Sequence, residues 1–270
     1  MKTRILPTAL AALLPLSASA GHYSPGVEAL RASVVPGPGL YYKGYAVHYS
    51  ADEHSALPAD SKVEVNAIAN RLIWVTDHKV LGGDVALETI IPVIRTDLSI
   101  AGGAVESDEW GLGDIMLGSV LGWHGERWDT VAGVGVWTRT GQDDEPADPG
   151  LGYTETMITL GGNLYLNGAR DLAFSALSRY SLADDSDIDD EFLVEWGLSK
   201  QLPGGLEAGL AGYDRWQVEG GDREKHGIGV AAAYFWPQLM AGLNIAVYDE
   251  YDAEQDFEGY QLRATFTRVF

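Results

Sequence analysis

The 270-residue chain contains no cysteine, so a disulfide framework, a thiolate metal site and a thiol nucleophile are all excluded. Basic residues are scarce as well: 18 Lys and Arg stand against 39 Asp and Glu, a formal net charge of -21. Nucleic acid is excluded as a partner, because phosphate binding needs clustered cations. Beyond residue 20 no apolar run approaches the ~20 residues a membrane-spanning helix requires. Any residence in a membrane must therefore come from strands. Catalytic motifs are missing too. The histidines are His22, His48, His54, His78, His124 and His226, and none accompanies a recognisable nucleophile motif. His48 and His54 have only Ser50 and Ser55 nearby, and His78 and His124 fall in short turns, so neither an enzyme nor a bound cofactor is expected.

What is present begins with Met1, Lys2 and Arg4, an apolar stretch over residues 5–16, and Ser17, Ala18, Ser19 and Ala20 before Gly21. A basic start, a short apolar core and small residues at a cleavage site read as a secretory leader over residues 1–20. Residues 21–39 carry Pro-Gly turns around a short apolar segment, which fits a periplasmic lead-in or a short lumen plug. From Leu40 to the end, residues 40–270 carry a repeating beat of alternating segments.

The clearest segment is the last. In residues 260–270, Tyr260, Leu262, Ala264, Phe266 and Phe270 share one side of a period-two strand, opposite Gln261, Arg263, Thr265 and Thr267. Similar segments occupy residues 40–51, 61–76, 84–94, 113–123, 128–139, 154–166, 172–181, 191–201, 206–216, 226–236 and 239–249. A phase slip at Arg71 and Trp74 suggests a bulge, and Pro92 suggests a bulge or a strand end. Trp123, Trp128 and Trp137 near strand ends suggest an interfacial aromatic girdle.

The connections alternate in character. Residues 77–83, 125–127, 167–170, 202–205 and 236–238 are short and rich in turn chemistry. Residues 52–60, 106–109, 142–150, 184–190, 219–224 and 249–256 are acidic and mostly longer. Short turns alternating with acidic loops are the mark of an all-β fold, a transmembrane up-and-down antiparallel β-barrel of about 12 strands in an outer membrane. An even strand count puts both chain ends on the periplasmic side, with Phe270 as an assembly signal and rim anchor. Asp185, Asp187 and Asp189 imitate the start of a calcium loop, but Asp190 replaces the required glycine, so no metal site is expected.

Tyr23-Ser24-Pro25-Gly26, residues 35–41, Leu81-Gly82-Gly83-Asp84, Gly111-Leu112-Gly113-Asp114, residues 121–124, Thr140-Gly141, Leu202-Pro203-Gly204-Gly205 and residues 209–213 follow one another in an order that resembles the MetA-pathway of phenol degradation family, including its SphA-like members. Arg139 stands where that pattern has proline, and the acidic residues 184–191 depart from it as well. The resemblance implies a channel of the Gram-negative outer membrane for passive uptake of small hydrophobic, often aromatic, compounds. A structural or adhesive barrel is the alternative, and an outer-membrane lipid hydrolase is a more distant one.

Charge is costly on a lipid-facing strand, about 2–4 kcal/mol for Arg or Lys at mid-bilayer. Lys43, Glu64, Glu88, Arg179, Glu195, Glu207 and Arg263 are accordingly expected to line the lumen. Arg71 is a further candidate partner, and Tyr165 and Tyr213 should contribute aromatic surface to a solute path, with Tyr41. The expected partners are outer-membrane lipid and lipopolysaccharide, the barrel-assembly machinery that reads the closing strand, and a small apolar solute.

Overall fold

A computed structural model describes residues 21–218 and 221–270. The expected leader, residues 1–20, and Glu219 of one acidic connection lie outside the described residues. The strands are β1 (Gly39–His54), β2 (Lys62–Val80), β3 (Gly83–Ile100), β4 (Val105–Leu112), β5 (Ile115–His124), β6 (Trp128–Thr138), β7 (Glu155–Tyr165), β8 (Leu172–Ala183), β9 (Glu191–Gln201), β10 (Leu206–Gln217), β11 (Glu224–Trp236), β12 (Ala241–Glu254) and β13 (Phe257–Val269). Neighbours pair antiparallel, and β13 returns to β1 with Phe266 opposite Gly44 and Leu262 opposite His48. Because β4 and β5 both pair with β3, together they form one interrupted member of a closed 12-strand wall. Closure removes the free edges that a sheet in lipid could not satisfy.

Side-chain alternation fixes which face is which. Leu117, Val134, Leu160, Leu210, Val230 and Phe266 are exposed on the outside, a continuous apolar band that a water-soluble protein would not carry. The inner face holds Glu195, Arg179, Arg263, Gln261 and Asn163, all buried. On β13 the expected division holds, with Gln261, Arg263 and Thr265 inside and Tyr260, Leu262 and Phe266 outside. The backbone N–H of Phe270 donates to the Leu40 carbonyl at 3.0 Å, which fastens the chain end at the short-turn rim. Arg268 stays at that rim too, donating to the Leu239 carbonyl.

Several expectations are corrected. Residues 106–109 are not a loop. They lie within β4, which extends the β3–β4 hairpin, and only residues 101–104 turn. The phase does not slip at Arg71, which keeps the inward phase of Ala69 and Ile73 and is a half-buried cation; the β2 bulge lies between Val75 and Lys79. Pro92 pairs in register with Ala69, and its carbonyl accepts the Gly113 N–H at 3.0 Å. The side on which proline lacks a donor therefore faces the interruption between β4 and β5, where no partner strand requires one. Trp137 is no girdle residue. It points inward, is 3% exposed, and stacks on His22 with ring centroids 5.5 Å apart.

Residues 21–38 run inside the barrel. The Ser33 hydroxyl donates to the Ala176 carbonyl at 2.7 Å, Gln261 Nε2 donates to the Pro25 carbonyl at 3.0 Å, and Arg31 Nε bonds Glu207 at 2.6 Å. The backbone approaches the wall so closely that a Cβ at Gly197 would lie 2.6 Å from the Ala29 carbonyl oxygen. Inward glycines thus make room for this plug, not for an open bore.

Candidate functional site

The plug is docked by charge at mid-lumen. Glu28 receives Lys43 Nζ at 3.1 Å, Arg71 Nη1 at 2.6 Å and the Tyr45 hydroxyl at 2.7 Å. Its own backbone N–H donates to Glu195 Oε1 at 3.0 Å. Arg71 reaches onward to Glu88 at 2.5 Å, while Arg179 pairs with Glu195 and lies 3.6 Å over the Tyr23 ring. Burial opposes the Glu28 charge, but the Lys43 ammonium and Arg71 guanidinium overcome it and hold the carboxyl well below the usual carboxylate range. Such a network is rigid only when complete, since a single buried unpaired charge is costly.

The other expected residues occupy different levels. Glu207 serves Arg31 near the short-turn end. Tyr165 donates to Asp129 at 2.7 Å under the Arg170 guanidinium, 3.9 Å from its ring centroid. Tyr213 donates to Glu250 at 2.8 Å near the long-loop end. Arg263 bonds Thr265 at 2.6 Å and Asn244 at 2.8 Å. Glu64 is corrected: it is exposed on the outer face, accepting from Asn66 at 2.8 Å. The long-loop half of β1 to β3 reverses the usual polarity, with Glu64, Asn66 and Arg95 outside and Val47, Val65, Ala67, Ile90 and Ile94 inside. A polar residue on a strand belongs in the lumen only where the strand crosses lipid. These strands are long enough, 16 to 19 residues, to carry polar outer faces beyond the apolar band.

The inverted patch lines a cavity of about 170 Å³. It is also lined by Tyr23, Pro25 and Val27 of the plug, by Trp137, and by Pro146, Pro149 and Leu151 of the connection between β6 and β7, with Arg71, Asp114, Arg215 and Glu250 among the charged groups at its margin; its surface is mostly apolar. A second cavity, about 390 Å³, lies toward the short-turn end and is lined by Val35, Tyr41, Lys43, Glu88, Met116 and Phe235 among others. Tyr23, Arg71 and Ile90 border both, so the plug and its charge belt form the partition between two chambers.

The wall beside the first chamber is also its weakest stretch. β4 pairs with β3 alone, and the gap between β4 and β5 is covered by residues 139–154, which act as a strap, Pro149 lying against Gly111 and Gly113. Asp114, at the interruption, holds that strap. Its Oδ1 accepts the Thr140 and Gly141 N–H groups, each at 2.8 Å, and its Oδ2 accepts the Leu151 N–H at 2.8 Å. The strap then folds on itself so tightly that a Cβ on Gly141 would sit 2.6 Å from the Gly150 Cα. His22 Nε2 meets Asp114 Oδ2 at 3.0 Å, and Nδ1 meets Glu155 Oε2 at 3.1 Å. With a carboxylate on each ring nitrogen, both can bond only if both carry protons. Burial disfavours that charge, yet the hydrogen bonds to Asp114 and Glu155 raise the His22 pKa above its ordinary 6.5.

A second charged cluster lies toward the long-loop end. Asp256 is shared by Arg215, by Arg223 at 3.2 Å and by Lys225 at 3.3 Å, while Glu250 takes Lys225 at 3.2 Å and the Tyr49 hydroxyl at 2.8 Å. Sequence reasoning missed His22, Glu28, Asp114, Trp137, Glu155, Glu250 and Asp256. Only Asp114 carried a signal, the Gly-Leu-Gly-Asp run. No group of metal-binding side chains is found among the described residues.

Several solved structures share this architecture. The COG4313 outer membrane channel from Pseudomonas putida F1 superimposes with a TM-score of 0.79 at 17% identity, over 92% of this chain and 100% of that one. The beta domain of the Bordetella autotransporter Brka gives 0.56 at 12% identity, over 87% and 100% of the two chains. The transport unit of the autotransporter AIDA-I from Escherichia coli gives 0.53 at 10% identity, over 85% and 89%. At these identities the likeness is one of fold. No curated protein sequence matches the chain. A family match over residues 43–266 takes in almost the whole wall, and by it the chain belongs to the family described as "Putative MetA-pathway of phenol degradation".

Proposed function

We propose that the protein is a passive conduit of the Gram-negative outer membrane for small, apolar, phenol-like compounds, exported with a leader that is removed. The observation that carries this reading is the apolar chamber in the long-loop half, built by reversing the polarity of β1 to β3. A cavity on the order of 150 Å³ with an apolar lining stays dry and accepts benzene, so about 170 Å³ suits a monoaromatic ring. The family's description concerns phenol degradation, and the similar Pseudomonas putida F1 protein is an outer membrane channel. A water-filled porin path would need a continuous polar bore, and here the Glu28 belt divides the lumen. The solute enters the upper chamber from the long-loop side. It then leaves past Tyr23 when the plug shifts, or sideways where the strap covers the gap between β4 and β5.

The same geometry argues against the hydrolase alternative. Both ring nitrogens of His48 face neutral groups, Asn66 at 2.9 Å and the Tyr260 hydroxyl at 3.5 Å, so the ring is not poised to activate Ser50. The test compares uptake of low-solubility aromatics at limiting concentration in cells with the gene, without it, and with Ala67→Trp, which fills the chamber. Loss of the gene and the substitution should each slow uptake. Unchanged uptake across the panel would refute the conduit and favour a structural or adhesive barrel.

A further inference from the structure

The tip of the plug poses a charge problem that the transport reading does not address. Gly21 is buried at the long-loop end of the lumen. A Cβ there would collide with the Glu191 carboxylate and lie 3.7 Å from Glu155 Oε2. Glu155 opens β7 and Glu191 opens β9, so the two side chains converge on Gly21 from separate strands. Asp114 stands beside them through His22. The cations within electrostatic reach of Glu191 are Arg215 and Arg223, and both are already engaged with Asp256. Around the tip, among the described residues, Asp114 and Glu155 contact the His22 imidazolium, and the half-buried Glu191 shares Arg215 and Arg223 with Asp256, so the three carboxylates outnumber the cations they do not share. Buried carboxylates left short of counter-charge are strongly disfavoured.

We propose that Glu155 and Glu191 form a binding site for the protein's own α-ammonium, created by cleavage between Ala20 and Gly21, and that this ion pair locks the plug tip beneath the strap. The step balances simply. Water adds across the Ala20–Gly21 peptide bond, its oxygen completing the Ala20 carboxylate, and the freed Gly21 amine takes a proton from solvent to become an ammonium. A free α-amine has a pKa of about 7.7–8.0, so it is charged at neutral pH. An uncleaved chain carries an amide nitrogen at the same place, which has one donor and no charge. Glycine lets the ammonium approach with Glu191 where it stands, whereas a Cβ would require the Glu191 carboxylate to shift. Leader removal is then a structural event as well as a release step: the barrel can close its plug only after cleavage at this one bond. The inference goes beyond the conduit reading and is independent of which solute is carried.

The test uses the absence of native cysteine. A single nitroxide label at Ser24→Cys reports plug mobility in the full mature chain, with heat-modifiable gel migration confirming that each barrel is folded. Mass spectrometry of protein isolated from the outer membrane should show a chain beginning at Gly21; any other first residue overturns the proposal. Chain beginning at Gly21 and refolded in detergent should give an immobilised spectrum. Pyridoxal-type transamination of the unfolded chain turns the terminal amine into an oxo group, removing the charge without adding bulk. After refolding, that chain should show the mobile component as its major fraction, as should Glu155→Gln/Glu191→Gln with its amine intact. A transaminated, folded chain that keeps the immobilised spectrum overturns the proposal, even if solute uptake is later demonstrated. Failure of uptake with the expected spectra would instead fall on the conduit reading alone.

Discussion

Replacing Asp114 with Asn should loosen the strap without unfolding the barrel. The aspartate is 2% exposed and accepts the Thr140, Gly141 and Leu151 N–H groups and His22 Nε2. Asparagine preserves the shape but offers one oxygen. In either orientation its NH2 group faces two former donors, Thr140 with Gly141 or Leu151 with His22. Hydrogen bonds to a charged acceptor contribute about 1.5–3 kcal/mol each. Taking the lower figure for the two lost bonds gives about 3 kcal/mol, or roughly a hundredfold in a local opening equilibrium. Hydrogen–deuterium exchange read by mass spectrometry should show residues 139–154 exchanging roughly a hundredfold faster, with β8 to β12 unchanged. Exchange altered by less than threefold, or raised evenly around the barrel, would refute the assignment of Asp114 as the strap's anchor.

Two further outcomes are expected. The His22 pKa is raised above 6.5, so its contribution is complete below that pH and declines as pH rises through the raised value; protection of residues 21–27, taken relative to the intrinsic exchange rate at each pH, should be greater at pH 6 than at pH 9. Asp114, Glu155 and Tyr153 surround the ring, and His22→Phe should reduce the difference in protection between the two pH values, leaving the part that the Gly21 ammonium contributes. Phe270→Ala should lower the yield of heat-modifiable barrel in the outer membrane while leaving single-channel behaviour intact. Arg263→Ala, inside the lumen, should do the reverse.

Period-two alternation on β13, the short-turn and acidic-loop rhythm and the apolar outer residues were enough to specify a closed barrel, because lipid permits no other arrangement of strands. Lys43, Glu88, Arg179, Glu195, Glu207 and Arg263 could be placed inside for the same reason. Glu64 could not, because its strand runs past the lipid, and alternation does not say where the lipid ends. The interior needed the tertiary structure. Residues 21–38 have no periodicity, and their position rests on Glu28 finding Lys43 and Arg71, and on Gly197 admitting the Ala29 backbone. Asp114 and the strap it holds are 26 to 37 residues apart, and His22 reaches Glu155 across 133. The wall is legible along the chain because it is a local pattern repeated against lipid. What fills it is visible only in three dimensions, because buried charges choose their partners by distance in space.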